Sequence, residues 1–281
     1  MLALPTFSTA QPVSPQALSF NTRHTPVLFT RRLHSLQSLL VCSFLSCALF
    51  TSAACAVNEI VEVRYVIDGD SVVLSNGKHV RLIGINAPER GKDGTPSQPI
   101  AAKARARLAA LAESRRVKLV FEQEREDRHG RWLAHLELPD GVRVAQVLLR
   151  EGLVWTMAVS PNLERLSENL EAEKAARTAR RGVWGVSAYA ATPADRLNNK
   201  STGFRFIEGT VQRRTQKHHV IYFELTPQVS LLVSEGDWKN YFSGHPSHLV
   251  GRKIIARGWL TESRGQLHMR VSHPAMLTSG G

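Results

Sequence analysis

Cysteine is scarce in this sequence, and beyond residue 55 it is absent: Cys42, Cys47 and Cys55 are the only three in 281 residues. A chain trimmed after that point has no thiol, which excludes a disulfide framework, a thiolate nucleophile and a cysteine-based zinc site. Acidic side chains are also in short supply. Thirty-six Lys and Arg stand against 24 Asp and Glu, a formal charge of +12, and that imbalance points to a polyanionic partner such as nucleic acid or an anionic surface. Long apolar runs are lacking too: the longest, residues 36–50, is short and interrupted by Ser and Cys, so it makes a poor membrane span. No internal repeat links one part of the chain to another. What is present, 43% hydrophobic and 21% charged residues, is a globular composition with room for two domains.

The apolar run has the dress of a secretory leader. Arg31, Arg32 and His34 precede it, and Ala54-Cys55-Ala56 closes it with the small residues a signal peptidase reads. The expectation is cleavage after Ala56 and export to a periplasmic or extracellular space, with no stable membrane span afterwards; a retained anchor is the alternative. Residues 1–26, rich in Ser, Thr, Pro and Gln, make a long prelude to such a leader. The chain therefore divides into an N-terminal extension with signal peptide (1–56), a first domain (57–190), a linker (191–203) and a second domain (204–281).

Residues 66–89, VIDGDSVVLSNGKHVRLIGINAPE, hold the densest chemistry. Asp68 and Asp70 flank Gly69, Glu89 follows a hairpin marked by Asn76-Gly77, and Arg81 lies between them. Carboxylate oxygens suit a hard divalent cation, a further carboxylate suits the activation of water, and a guanidinium suits a phosphate. Those are the parts of a metal-assisted phosphodiesterase.

Around this stretch the patterning is β-rich. Residues 59–67 alternate as a half-buried strand; 71–74 and 78–85 pair across the Asn-Gly turn; 117–124 and 132–138 flank a second turn, Asp127-Arg128-His129-Gly130-Arg131. Helical spacing of apolar residues appears over 100–113, again around Val144, Val147 and Leu148, and from Pro161 to about Arg181 with Leu163, Leu166 and Leu170 as its seam. Residues 186–203 read as a connection. Beyond it come five short strands with one helical turn, residues 237–242, before the fourth. The fold class is β-rich α+β.

Val66-Ile67-Asp68-Gly69-Asp70-Ser71, the run from Val80 to Glu89, Asp127 to Arg131, and Arg181-Gly182-Val183-Trp184-Gly185 together resemble the staphylococcal nuclease (thermonuclease) family. The resemblance implies a five-stranded OB-type barrel with three helices; the five later strands fit a second small OB-like barrel, with an SH3-like barrel as the alternative. It implies a Ca2+-dependent phosphodiesterase acting on DNA and/or RNA. Asp70 would ligate the metal, Asp68 would act from its outer sphere, and Ala87 would lend a backbone carbonyl. Glu89 would be the general base, with Arg81 and Arg131 clamping the phosphate. Where the family has a second metal-binding aspartate this chain has Asn86, which supplies an oxygen without a charge, so another divalent cation is an alternative to Ca2+. Met157-Ala158-Val159-Ser160 stands where the family places tyrosines against a nucleotide. These departures leave a second expectation open, a catalytically inactive nucleic-acid-binding protein that keeps the fold. Further nucleic-acid contacts are expected from Arg128 and from the basic cluster Arg213, Arg214 and Lys217 in the second domain.

Overall fold

The computed structural model describes residues 59–91 and 94–280. The leader, its cleavage site and the three cysteines lie outside the described residues. Among the described residues no helix is long and apolar enough to cross a membrane.

The alternation seen in the sequence becomes strand β1, Glu59–Asp68, which turns through Gly69-Asp70 into β2, Ser71–Leu74. Gly69 is needed at this turn because of space: a Cβ there would meet the methyl groups of Ala104 and Ala87, each at 2.7 Å. The Asn-Gly hairpin forms as expected, with Gly77 at φ +82° and the Asn76 side chain accepting the Lys78 amide at 3.0 Å. It leads to β3, His79–Leu82, where the expected longer strand breaks. Residues Ile85–Asn86 form a separate short strand, β4, because the chain bends at Gly84 (φ +79°).

Helix α1, Ala101–Ala112, buries Ala104, Leu108 and Leu111 against the sheet, as its spacing predicts. Strands β5, Arg116–Val120, and β6, Trp132–Glu137, complete a closed barrel in the order β1-β2-β3-β6-β5, antiparallel except where β3 runs parallel to β6. Helix α2, Val144–Arg150, strand β7, Trp155–Thr156, and helix α3, Leu166–Thr178, follow. The third helix starts five residues later than expected, since residues 161–165 pass through an irregular turn in which Asn162 bonds the backbone of Glu124. Strand β7 pairs with β4 and so fixes the Asn86 corner against α3.

Residues 186–203 do connect the two halves, yet they are packed: β8, Thr192–Pro193, pairs in parallel with the next strand, and Ala194 and Leu197 are buried. The second half comprises β9, Gly203–Thr210; β10, Arg213–Lys217; β11, Val220–Thr226; β12, Val229–Ser234; the short helix α4, Glu235–Tyr241; β13, Lys253–Ser263; β14, Gln266–Arg270; and β15, Leu277–Ser279. The sheet order is β10-β11-β12-β14-β13-β9-β8, with β15 on the side of β13. Among the described residues no ladder closes this sheet, so the expected second barrel is here a larger open sheet. Strands β9 and β10, at or next to its two ends, are halves of one chain segment bent at Val211-Gln212, the first half paired with β13 and the second with β11.

Two apolar cores result, and the second recruits Ala158 and Leu166 from the first half of the chain. The join is dense. Trp155 stacks on Phe204 at 5.0 Å. Arg257 of β13 donates to Glu173 of α3 at 2.5 Å with both side chains buried, and the other oxygen of Glu173 accepts the Thr156 amide at 2.5 Å. Ser272 donates to the Ala158 carbonyl at 3.0 Å, and Ser160 donates to Asp237 at 2.8 Å.

Candidate functional site

The site grows from the β1–β2 turn. Asp70 follows Gly69 into the barrel mouth, where its side chain is buried, and its carboxylate collects three donors. The Ala87 amide reaches Oδ2 at 2.5 Å, Arg81 Nη1 reaches the same oxygen at 2.8 Å, Ser71 Oγ donates to Oδ1 at 2.9 Å, and Arg81 also donates, at 3.5 Å, to the Asp70 carbonyl. Arg81 extends from β3 across the corner, giving Nη2 to Asn86 Oδ1 at 2.9 Å and Nη1 to the Ile85 carbonyl at 3.1 Å. One guanidinium thus ties Asp70, Ile85 and Asn86 together. Burial pushes the Asp70 carboxyl up, from 3.8 to about 7; Arg81 and the Ala87 amide pull it down, and neighbouring Asp68 pushes it further up.

Asp68 is half-buried at the end of β1 and accepts the Asp70 amide at 3.4 Å. Glu89 is exposed two residues beyond Ala87, its backbone held on both sides by Gln98: the Glu89 amide donates to the Gln98 side chain and its carbonyl accepts the Gln98 amide, each at 2.9 Å.

Arg131 comes from the other hairpin. Asp127 orients it, accepting from Nε at 2.8 Å and facing Nη2 at 2.7 Å, while its second oxygen takes the Arg131 amide at 3.0 Å. Burial raises the Asp127 carboxyl, but these donors and the His129 amide outweigh it and hold the group below its ordinary range. Arg81, Arg128 and Arg131 line one cleft of about 540 Å3, whose floor includes Ile83, Leu133 and Met157.

Asp70 and Asn86, both bonded to Arg81, offer a buried carboxylate and an amide oxygen, the Ala87 carbonyl accepts from Asn86 Nδ2 at 3.3 Å, and Asp68 accepts the Asp70 amide; oxygens of these kinds are what a hard cation takes. Asp70, Asn86, Ala87 and Asp68 would hold such an ion. Among the described residues no group of three His, Cys, Asp or Glu offers another site.

Comparison with known proteins agrees with this architecture. Residues 79–186 match the family described as Staphylococcal nuclease homologue. The Thermonuclease of Staphylococcus hyicus is 30% identical over 126 residues, which cover 44% of this chain and 74% of that protein. The chain belongs to the staphylococcal nuclease family. Endonuclease YncB of Bacillus subtilis is 34% identical over 134 residues, 46% of this chain and 63% of its own length, and an uncharacterized protein of Bacillus anthracis is 30% identical over 133 residues, 62% of its length. The chain thus spans less than two thirds of these last two relatives.

Within this nuclease-family barrel the structure joins Asp70, Arg81, Asn86 and Ala87 into one hydrogen-bonded cluster and sets Arg128 and Arg131 along the same cleft as Arg81. The basic residues Arg213, Arg214 and Lys217 all lie on β10. Arg213 is paired with Glu224 by three hydrogen bonds of 2.8–3.1 Å, Arg214 donates to Gln216, and of the three only Arg213 and Lys217 border a separate groove of about 620 Å3 lined by β10, β11, β12 and β14. The sequence reading missed Asp127 as the residue that aims Arg131, although it opens the turn motif, and missed Gln98 as the clamp on Glu89. Trp259 and Arg270 also border the first cleft. No local pattern signals them, because β13 and β14 reach that cleft only through packing of the two halves.

Proposed function

We propose that this chain is an exported, metal-dependent nuclease that hydrolyses phosphodiester bonds of DNA and/or RNA. The observation that carries the reading is the placement of Arg81 and Arg131 along one cleft beside the buried oxygen cluster of Asp70, Asn86 and Ala87. The names Thermonuclease and Endonuclease borne by relatives of the same family support it. Export rests on the leader-like residues 31–56.

In the proposed reaction Glu89 takes a proton from a water molecule as the water oxygen bonds to phosphorus, and the bond from phosphorus to the leaving sugar oxygen breaks, that oxygen taking a proton from solvent to become a hydroxyl. Arg81 and Arg131 face the charge that gathers on the phosphoryl oxygens, and Arg131, aimed by Asp127, hydrogen-bonds the leaving oxygen. Arg81 must exchange some of its present acceptors for phosphate oxygens to do so. A bound divalent cation, Ca2+ or another, would supply further positive charge there.

A second reading, an inactive nucleic-acid-binding protein, draws on one observation. Asn86 contributes no charge, and its oxygen already accepts from Arg81. The experiment that decides is digestion of single- and double-stranded DNA and of RNA by residues 57–281, with Ca2+, with Mn2+ and with chelator. Cation-dependent cleavage that falls about 100- to 10,000-fold in Glu89→Gln supports the nuclease. Salt-sensitive binding without cleavage under any cation would replace it with the second reading.

A further inference from the structure

The cleft that holds Arg81 and Arg131 has a wall that the nuclease-family barrel does not make. Trp259 of β13 and Arg270 of β14 close it from the second half of the chain. Their chemistry is unusual for their positions. Of the tryptophans among the described residues Trp259 alone is exposed, at 41%, and apart from the His129 imidazole it is the one aromatic ring on the cleft. The first half contributes Met157 and Val159 to the same cleft, neither of them aromatic. Arg270 is exposed and, unlike Arg81 and Arg131, makes no ion pair or side-chain hydrogen bond among the described residues.

The ring is exposed but braced. Trp259 faces Phe204 across the β13–β9 ladder and meets it edge-on, centroids 6.3 Å apart; Phe204 in turn stacks on buried Trp155. Arg257, two residues earlier and so on the same face of β13, is held by Glu173. Arg270 lies one step along the antiparallel β13–β14 register from the Leu260–Met269 pair, which sets it across from Trp259. A flat apolar ring and an unpaired guanidinium therefore stand side by side on rigid strands, at a cleft that already holds phosphate-seeking arginines.

We propose that Trp259 and Arg270 form a nucleotide subsite, in which Trp259 stacks on an unpaired base and Arg270 pairs with a phosphate of the same strand. The ligand class is single-stranded nucleic acid, because a base within a duplex has no free face to offer. The proposal rests on the nuclease reading and deepens it by naming residues outside the family match that hold the substrate strand. It also gives the second half of the chain a part in the site that is independent of the groove near Lys217.

The test uses residues 57–281 with Trp259→Ala, Trp259→Phe and Arg270→Ala, none of which touches the reacting groups. Binding of a fluorescein-labelled oligothymidylate is followed by anisotropy in chelator, and cleavage of single- and double-stranded DNA is followed with cation. Trp259→Ala is expected to weaken oligothymidylate binding and to raise KM on single strands by roughly ten- to a hundredfold, with kcat changed far less. Trp259→Phe should restore most of that loss, and far-UV circular dichroism should show all three variants folded. Arg270→Ala should flatten the dependence of log affinity on log salt by about 0.7. Binding and KM in Trp259→Ala equal to those of the unsubstituted protein would overturn the subsite. If the unsubstituted protein binds but does not cut, the nuclease reading fails and the binding arm alone judges the subsite. If it neither binds nor cuts, both fall.

Discussion

Removal of Arg257 is the sharpest perturbation of this molecule. Its guanidinium and the Glu173 carboxylate are 8% and 5% exposed and 2.5 Å apart, so Arg257→Ala leaves a carboxylate buried with the Thr156 amide as its remaining donor. Breaking a buried pair by deleting one partner costs about 3–5 kcal/mol. In a unit of this size each kcal/mol lowers Tm by about 2–4 °C, so the variant should melt about 6–20 °C below the unsubstituted protein. The double replacement Arg257→Met with Glu173→Leu removes both charges and leaves only the Thr156 amide unpaired, a cost of about 1–3 kcal/mol. Scanning calorimetry on the three proteins, with urea unfolding as a check, gives the comparison. A single variant that melts within a degree of the unsubstituted protein, or a double variant less stable than the single one, would refute the reasoning.

Other consequences are equally open to measurement. Gly69→Ala should destabilise by about 1–3 kcal/mol, because the added methyl meets two other methyl carbons at 2.7 Å and neither can rotate away; urea midpoints check it. Asp70 has a folded value of about 7 against 3.8 unfolded, so without cation its contribution is fully present below about pH 4 and is lost as the pH rises through about 7. Stability should then decline over that window by at most about 4 kcal/mol, and Asp70→Asn should remove the decline in urea titrations at pH 5 and pH 8.5. Asn86→Asp adds a charge to the oxygen cluster and should tighten Ca2+ binding by about tenfold or more in calorimetric titration. Asp127→Ala frees the Arg131 guanidinium to wander, and cleavage should fall about tenfold or more while Tm moves little.

Much of the first barrel was legible because its signals are local. Alternation marked β1, Asn76-Gly77 marked the hairpin, and the Ala- and Leu-rich spacing marked α1 within a residue at either end. The cluster of Asp70, Arg81, Asn86 and Ala87 was legible for a related reason: a hairpin brings residues 11 to 17 apart into contact, and their order is that of a known family. What escaped is long-range. Glu173 and Arg257 are 84 residues apart, and nothing near either one announces the other. Trp259 reads in sequence as one more apolar residue of a strand, and only the packing of β13 over residues 155–162 turns it toward the cleft. The delayed start of α3 has the same origin, because the Asn162 side chain bonds Glu124 across 38 residues and competes with the helix for that segment. Residues 186–203 look like a connection because Pro, Asn and Ser dominate their end, yet Ala194 and Leu197 are buried there.

Ala158 and Leu166 lie inside the stretch that matches the nuclease family, but they belong to the core that contains Ile207, Phe223 and Met276. The portion of the chain that is homologous is thus smaller than the portion that folds together. A fragment ending near residue 186, the natural cut by ancestry, would bare Trp155, Ala158 and Leu166 to water and strand the Glu173 carboxylate without its cation. Such a fragment should behave as a sticky, weakened protein even though every residue of the oxygen cluster is still in it. For this chain, inheritance and self-sufficiency have parted at the seam between its two halves.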